Sequence, residues 1–193
     1  MTAAAKPQLE PGRVYRTREF GRWSANPPRF AKRLVRDGKL VPLAHGLYSC
    51  PHHGRFGLVP PTDEELMRAF LEGDPFVFTG PDRWNALGLG TTAVFAMPVV
   101  YNTKRSGIFH FGGRRFLLRR VAFPDHPVPE WFVIDLFEHA HQAGTSKEAL
   151  TDALARRVRE GAFEVEALRV MAERFGTRLT GASVEAAIAW AAS

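Results

Sequence analysis

The chain has 193 residues, 45% of them hydrophobic and 24% charged, with a single cysteine and a formal net charge of +6. That apolar content excludes global disorder and suffices for one sizeable core or two small ones, while the lone Cys50 excludes a disulfide framework and a cysteine-rich zinc site and fits a reducing cytoplasm. Residues 1–60 carry 11 Lys/Arg against 3 Asp/Glu, residues 61–130 carry 8 against 8, and residues 131–193 carry 7 against 9, the asymmetry of a polyanion-binding module joined to a neutral body.

Met1–Glu10 lacks a basic start followed by an apolar run, so no secretory leader is expected. Pro7 and Pro11 make Met1–Gly12 extended or frayed. Val14–Phe20 is expected to begin as a strand and turn into a short helix, with Thr17 as its N-cap. Ser24-Ala25-Asn26-Pro27-Pro28 is a turn and helix start, because Asn26 caps and prolines are tolerated where the first amides lack helical partners. The helix predicted over Pro28–Asp37 places Phe30, Ala31, Leu34 and Val35 on an apolar stripe and Arg29, Lys32, Arg33 and Arg36 on the other side. Gly38 ends it. Lys39–Leu43 and Gly46–Cys50 read as two short strands joined by the tight turn Ala44-His45-Gly46. Short helix, turn, basic helix and hairpin together make a winged helix-turn-helix.

Pro51–Pro61 is expected to be a loop, with three prolines and two glycines. Helix Asp63–Glu72 opens at Thr62 with acids in its first turn. Strand Phe76–Phe78, a short helix carrying Trp84, Ala86 and Leu87, strand Pro98–Asn102 and a hairpin of Ile108–Phe111 with Arg115–Val121 follow, the hairpin with Phe116 and Leu118 on one side. Beyond the break Pro124–Pro129, helices are predicted over Trp131–Gln142, Ser146–Glu160, Val165–Phe175 and Ser183–Ala192. The expected fold is therefore α+β: a winged helix-turn-helix domain over residues 1–58, then residues 59–193 as a mixed α/β middle region with a helical C-terminal tail.

The helix Pro28–Asp37 carries the functional expectation. A major groove admits one α-helix, whose exposed cations neutralise phosphates while its N-terminus meets base edges. Arg29 is the candidate for a bidentate guanine contact, Lys32, Arg33 and Arg36 for phosphates, and Ser24 and Asn26 for hydrogen bonds to bases or backbone. Lys39 stands at the base of the wing and His45 near its tip, where wings touch the DNA backbone or minor groove. A second basic cluster on the middle hairpin, Lys104, Arg105, Arg114, Arg115, Arg119 and Arg120, could extend the DNA footprint or face a partner, but reads first as a solvated face because acids in the middle region cancel it.

Enzyme readings find little support. Gly88-Leu89-Gly90-Thr91-Thr92 lacks the Lys of a phosphate-binding loop and the third Gly of a dinucleotide fingerprint, so it reads as a helix-ending turn. Cys50, His52 and His53 lack paired ligand spacing, and His139 and His141 fall on different helix faces, so no metal site is expected. Asp135 and Glu138 look like the polar edge of a packing helix. No apolar run is long enough to cross a bilayer. In the tail, Ala153, Val158, Phe163, Leu168, Met171, Phe175, Val184, Ile188 and Trp190 supply core and a candidate dimer face, since many winged-helix repressors read inverted repeats as homodimers.

The run Arg33-Leu34-Val35-Arg36-Asp37-Gly38-Lys39-Leu40 followed by His45-Gly46-Leu47-Tyr48 resembles the winged-helix segment of AbiEi-type antitoxins. Thr79-Gly80, Trp84-Asn85-Ala86-Leu87-Gly88-Leu89, Tyr101-Asn102-Thr103 and Ala172-Glu173-Arg174-Phe175-Gly176-Thr177 look like further motifs of that family, over roughly residues 14–180. The resemblance implies a cytoplasmic DNA-binding autorepressor of a two-gene toxin–antitoxin operon, with a nucleotidyltransferase toxin as its counterpart, no cofactor and no enzymatic activity of its own. DNA contacts then fall on Arg29, Lys32, Arg33, Arg36 and His45. A winged-helix protein–protein interaction module and a stand-alone regulator without a toxin are the alternatives.

Overall fold

In a computed structural model of the chain, residues 7–193 are described; the expectation of an extended or frayed start for residues 1–6 lies outside them. The fold is α+β, with seven α-helices, one 3-10 helix and nine strands among the described residues. The chain divides into two compact units, Met1–Phe76 with Ile108–Arg115, and Val77–Gly107 with Phe116–Ser193.

In the first unit β1 (Val14–Arg16) runs into a 3-10 helix, Thr17–Arg22. The cap is Arg16, not the expected Thr17, because the Glu19 carboxylate turns back to accept the Arg16 backbone N–H at 3.1 Å. Helix α1 (Pro27–Arg36) follows, then β2 (Val41–Ala44) and β3 (Leu47–Ser49). Strand β3 pairs antiparallel with both β1 and β2, giving the order β1-β3-β2, with a register shift between Pro42 and Ala44. Tyr15, Phe20, Phe30, Ala31, Leu34, Leu40 and Cys50 form the core under this sheet. The Phe20 ring lies 5.9–6.3 Å from those of Tyr15, Trp23, Phe30 and Tyr48, the spacing of favourable tilted aromatic pairs.

Residues 51–61, expected to be a loop, contain a hairpin: β4 (His52–Gly54) pairs antiparallel with β5 (Gly57–Val59). The prolines at its margins hid it, since each strand is only three residues long and alternation over three residues carries no periodic signal. Helix α2 (Asp63–Phe70) opens with Thr62 and Glu65 capping each other's backbone amides. Arg16 fastens its far end, donating to the Phe70 carbonyl at 2.9 Å and pairing with Glu72 at 3.0 Å.

In the second unit the strand order is β6-β7-β9, where β6 (Phe76–Thr79) contributes all but its first residue, β7 (Val99–Asn102) lies wholly within the unit and β9 (Arg114–Arg120) enters it at Phe116. Strands β7 and β9 are parallel, with Val99 opposite Leu117 and Asn102 opposite Arg120. Between β7 and β9 the chain passes through β8 (Gly107–Phe111), whose Phe109 and Phe111 rings meet Phe70 within the first unit. Phe116 and Leu118 of β9 are buried as their alternation predicts. Helix α3 (Pro81–Ala86) and helices α4 (Pro129–Glu138), α5 (Lys147–Arg159), α6 (Val165–Phe175) and α7 (Arg178–Ala192) enclose a core that includes Trp84, Phe137, Leu150, Leu154, Leu168 and Val184. Helix α7 begins five residues before the expected Ser183, because Gly181 does not break it. Thr177 caps it, and the Gly181 N–H donates to the Thr177 carbonyl at 2.9 Å. One helical glycine costs only about 1 kcal/mol against alanine.

Candidate nucleic-acid interface

Helix α1 owes its start to Asn26, whose Oδ1 accepts the Arg29 backbone N–H at 3.1 Å while the Asn26 N–H donates to Ser24 Oγ at 3.2 Å. Pro27 and Pro28 fill the first turn without wasting a donor. The helix closes on Gly38 at φ +70°, with the Gly38 N–H on the Val35 carbonyl and the Lys39 N–H on the Leu34 carbonyl, so two last-turn carbonyls are satisfied in one motif. Both ends are therefore fixed by local bonds, and Phe30, Ala31 and Leu34 fix its rotation by burial.

That rotation turns Arg29, Lys32, Arg33 and Arg36 outward, and all four are exposed. At the helical repeat they share roughly 100° of arc. Among the described residues no carboxylate pairs with Arg29, Lys32 or Arg33; Arg36 touches Asp37 at 3.5 Å, and the Arg33 guanidinium lies 4.9 Å from the Phe30 ring centre. Ser24, Asn26, Arg29, Phe30, Lys32, Arg33 and Arg36 line one open concavity of about 490 Å³. Six of the eight residues singled out from the sequence thus meet at one place. Lys39 and His45 do not line it: Lys39 is exposed beyond the end of α1, and His45 is exposed in the β2–β3 turn. Gly46, beside it, needs φ +72°, and a Cβ there would meet Thr17 Oγ1 at 3.3 Å.

The second basic cluster is divided between the two units. Arg114 and Arg115 belong to the first unit, where Arg114 pairs with Asp63 and donates to the Pro61 carbonyl at 3.0 Å. Lys104, Arg105, Arg119 and Arg120 belong to the second. There Asn102, wholly buried, ties the turn by accepting the Lys104 and Arg105 N–H groups at 2.9 and 2.7 Å and donating to the Arg119 carbonyl at 3.2 Å.

Asp135 and Glu138 are not the polar edge of a helix. Asp135 is buried and accepts hydrogen bonds from Thr79 Oγ1, from Trp84 Nε1 at 2.8 Å and from Tyr101 Oη at 2.8 Å, while its Oδ1 lies 3.3 Å from His139 Nδ1. Burial pushes its carboxyl pKa up, but the bonds from His139, Thr79 and Trp84 outweigh burial and hold it below the ordinary range. Burial likewise pulls the His139 imidazole down, and its bonds to Asp135 more than reverse this, so its pKa is raised. The Tyr101 hydroxyl is pushed well up by burial and by the Asp135 charge. His139 Nε2 is 3.3 Å from Tyr101 Oη and 3.4 Å from Arg119 Nη1. Glu138 accepts the Thr177 N–H at 2.7 Å and so anchors the start of α7. The i, i+4 spacing of Asp135 and His139 was the visible signal for this cluster; its other partners, Thr79, Trp84, Tyr101 and Arg119, come from four different elements.

Cys50 is buried, and burial raises its thiol pKa. Among the described residues no three His, Cys, Asp or Glu side chains gather as metal ligands, and no helix is long and apolar enough to cross a membrane.

No family model and no curated protein matches the sequence. Among solved structures, the chain is similar to the crystal structure of RV2827C protein from Mycobacterium tuberculosis, at 14% identity and a TM-score of 0.47 over 99% of this chain and 84% of that one.

Proposed function

We propose that the 3-10 helix, α1 and the β2–β3 hairpin act as a winged helix-turn-helix, and that the protein is a sequence-specific DNA-binding repressor with no enzymatic activity. The observation that carries the reading is the outward face of α1: four exposed cations, three without a carboxylate partner among the described residues, beside Ser24 and Asn26 on one concavity. Charge of this density, held on a helix with both ends locked, suits the phosphates that flank a major groove.

In this reading Arg29 contacts a guanine edge, Lys32, Arg33, Arg36 and Lys39 neutralise phosphates, Ser24 and Asn26 bond backbone or base, and His45 carries the wing to the sugar-phosphate rim. The AbiEi-like motifs support the narrower proposal of a cytoplasmic antitoxin that represses its own operon as a homodimer, opposite a nucleotidyltransferase toxin. Binding to a duplex taken from upstream of the protein's own gene, measured against a scrambled duplex, tests the proposal. Selective binding that Arg29→Ala/Arg33→Ala abolishes is the expected result. Equal, weak binding to both duplexes, unchanged in the variant, overturns it and leaves a protein–protein interaction module.

A further inference from the structure

The hairpin β4–β5 is a two-stranded sheet of its own. Gly54 faces Gly57 in its register, so the turn between them is only Arg55 and Phe56. Phe56 is 98% exposed, Leu58 62% and Val59 46%. An apolar ring held out in water at the tip of a hairpin gains nothing from folding, because no burial repays its hydration.

Nor does turn chemistry call for it. Tight hairpin turns favour Asn, Asp and Gly, which reach positive φ cheaply. Among the described residues the only non-glycine at positive φ is Glu72, so neither Arg55 nor Phe56 supplies that conformation; Gly57, at φ +113°, does. Gly54 has its own reason to be glycine, since a Cβ there would come within 2.8 Å of the Val59 side chain. The two glycines close the turn and leave the residues between them free of any folding duty. The Arg55 guanidinium lies 5.7 Å from the Phe56 ring centre, so a cation and an apolar plate are offered together.

Two observations point to the partner. Residues 51–61 hold Arg55, His52 and His53 and no acid, and they follow β3 directly in the segment that carries most of the protein's positive charge. A minor groove is about 6 Å wide, attracts arginine where it is narrow, and is entered by apolar wedges that part a base step. A two-residue tip of one arginine and one phenylalanine has the width and the chemistry for that.

We infer that the β4–β5 hairpin is a second DNA-binding element, with Arg55 entering a narrow, A·T-rich minor groove and Phe56 wedging against a base step. The inference rests on the DNA-binding reading of α1 and extends it from one groove to two. It makes the complex a bent one, since a wedge opens the step toward the major groove.

The test uses the full chain, an end-labelled A·T-rich duplex from upstream of its gene, and the variants Phe56→Ala, Arg55→Ala and Arg29→Ala/Arg33→Ala. Phe56 and Arg55 are exposed, so their replacement leaves the fold intact. Phe56→Ala is expected to weaken binding about tenfold and to lengthen the end-to-end distance of the bound duplex read by energy transfer. Filling the minor groove with netropsin should weaken the native protein and leave the double variant Arg55→Ala/Phe56→Ala unmoved. Native affinity and native bend in both tip variants overturn the inference while leaving the α1 reading standing. Sedimentation with phosphatidylserine vesicles that depends on Phe56, together with unchanged DNA binding, overturns it in favour of a membrane-surface element. No binding of any duplex by the native protein ends both readings.

Discussion

Arg29 leaves the first turn of α1 with its backbone N–H already held by Asn26, so its guanidinium starts from a fixed point. Replacing it with alanine should cost about 1–3 kcal/mol of discrimination against a changed guanine while leaving affinity for scrambled DNA nearly as before; competition binding reads this. The Asp135 cluster makes a different kind of prediction. Asp135→Ala removes the acceptor of three buried donors and the partner of His139, and should lower unfolding free energy by about 3–5 kcal/mol in a denaturant titration. Its pH dependence follows from the two shifts. The raised His139 pKa gives stability that is full below the unfolded histidine value and is lost as pH rises through the folded value. The lowered Asp135 pKa gives stability that is present above the unfolded carboxyl value and is lost as pH falls through the folded one. Stability should therefore peak between the two ranges, and His139→Gln should remove the alkaline limb. The α1 cations were legible from the sequence because periodicity alone decides which side chains a helix buries. Asp135 was not, since a carboxylate on an amphipathic helix looks the same whether it meets water or Thr79, Trp84 and Tyr101.

At the scale of the element, α1 is held by its ends. Asn26→Ala removes the cap and should cost about 1 kcal/mol. Gly38→Ala should cost about as much, for a purely conformational reason: a Cβ at Gly38 meets nothing within 4 Å, yet φ is +70°. Thermal unfolding of both variants tests this, and DNA affinity should fall with the fraying of α1. The helices were legible wherever an apolar stripe ran between recognisable caps; α6 matches its expected span residue for residue. Elements set by short-range geometry were not. The hairpin of β4 and β5 rests on two glycines three positions apart, and the cap of the 3-10 helix rests on Glu19 folding back. Neither leaves a period to read.

At the scale of the whole molecule, the chain forms two compact units and passes between them three times, at Phe76, Gly107 and Arg115. The cationic face belongs to the core of Phe20, Phe30 and Leu34; Leu150 and Leu154 belong to the other. Leu34→Ala and Leu154→Ala should each cost about 2–5 kcal/mol, but below the melting transition only Leu34→Ala should weaken DNA binding. The sequence draws its first domain as one run ending near residue 58, whereas the first compact unit also takes in α2 and residues 108–115, which no local pattern could assign to it. The central claim, that α1 binds DNA by neutralising phosphates, is tested most directly by the salt dependence of duplex affinity in the native protein and in Arg33→Ala/Arg36→Ala. A steep linear fall of log affinity with log salt in the native protein, flattened by about one unit for each arginine removed, is the predicted result. The same slope in both proteins would contradict it.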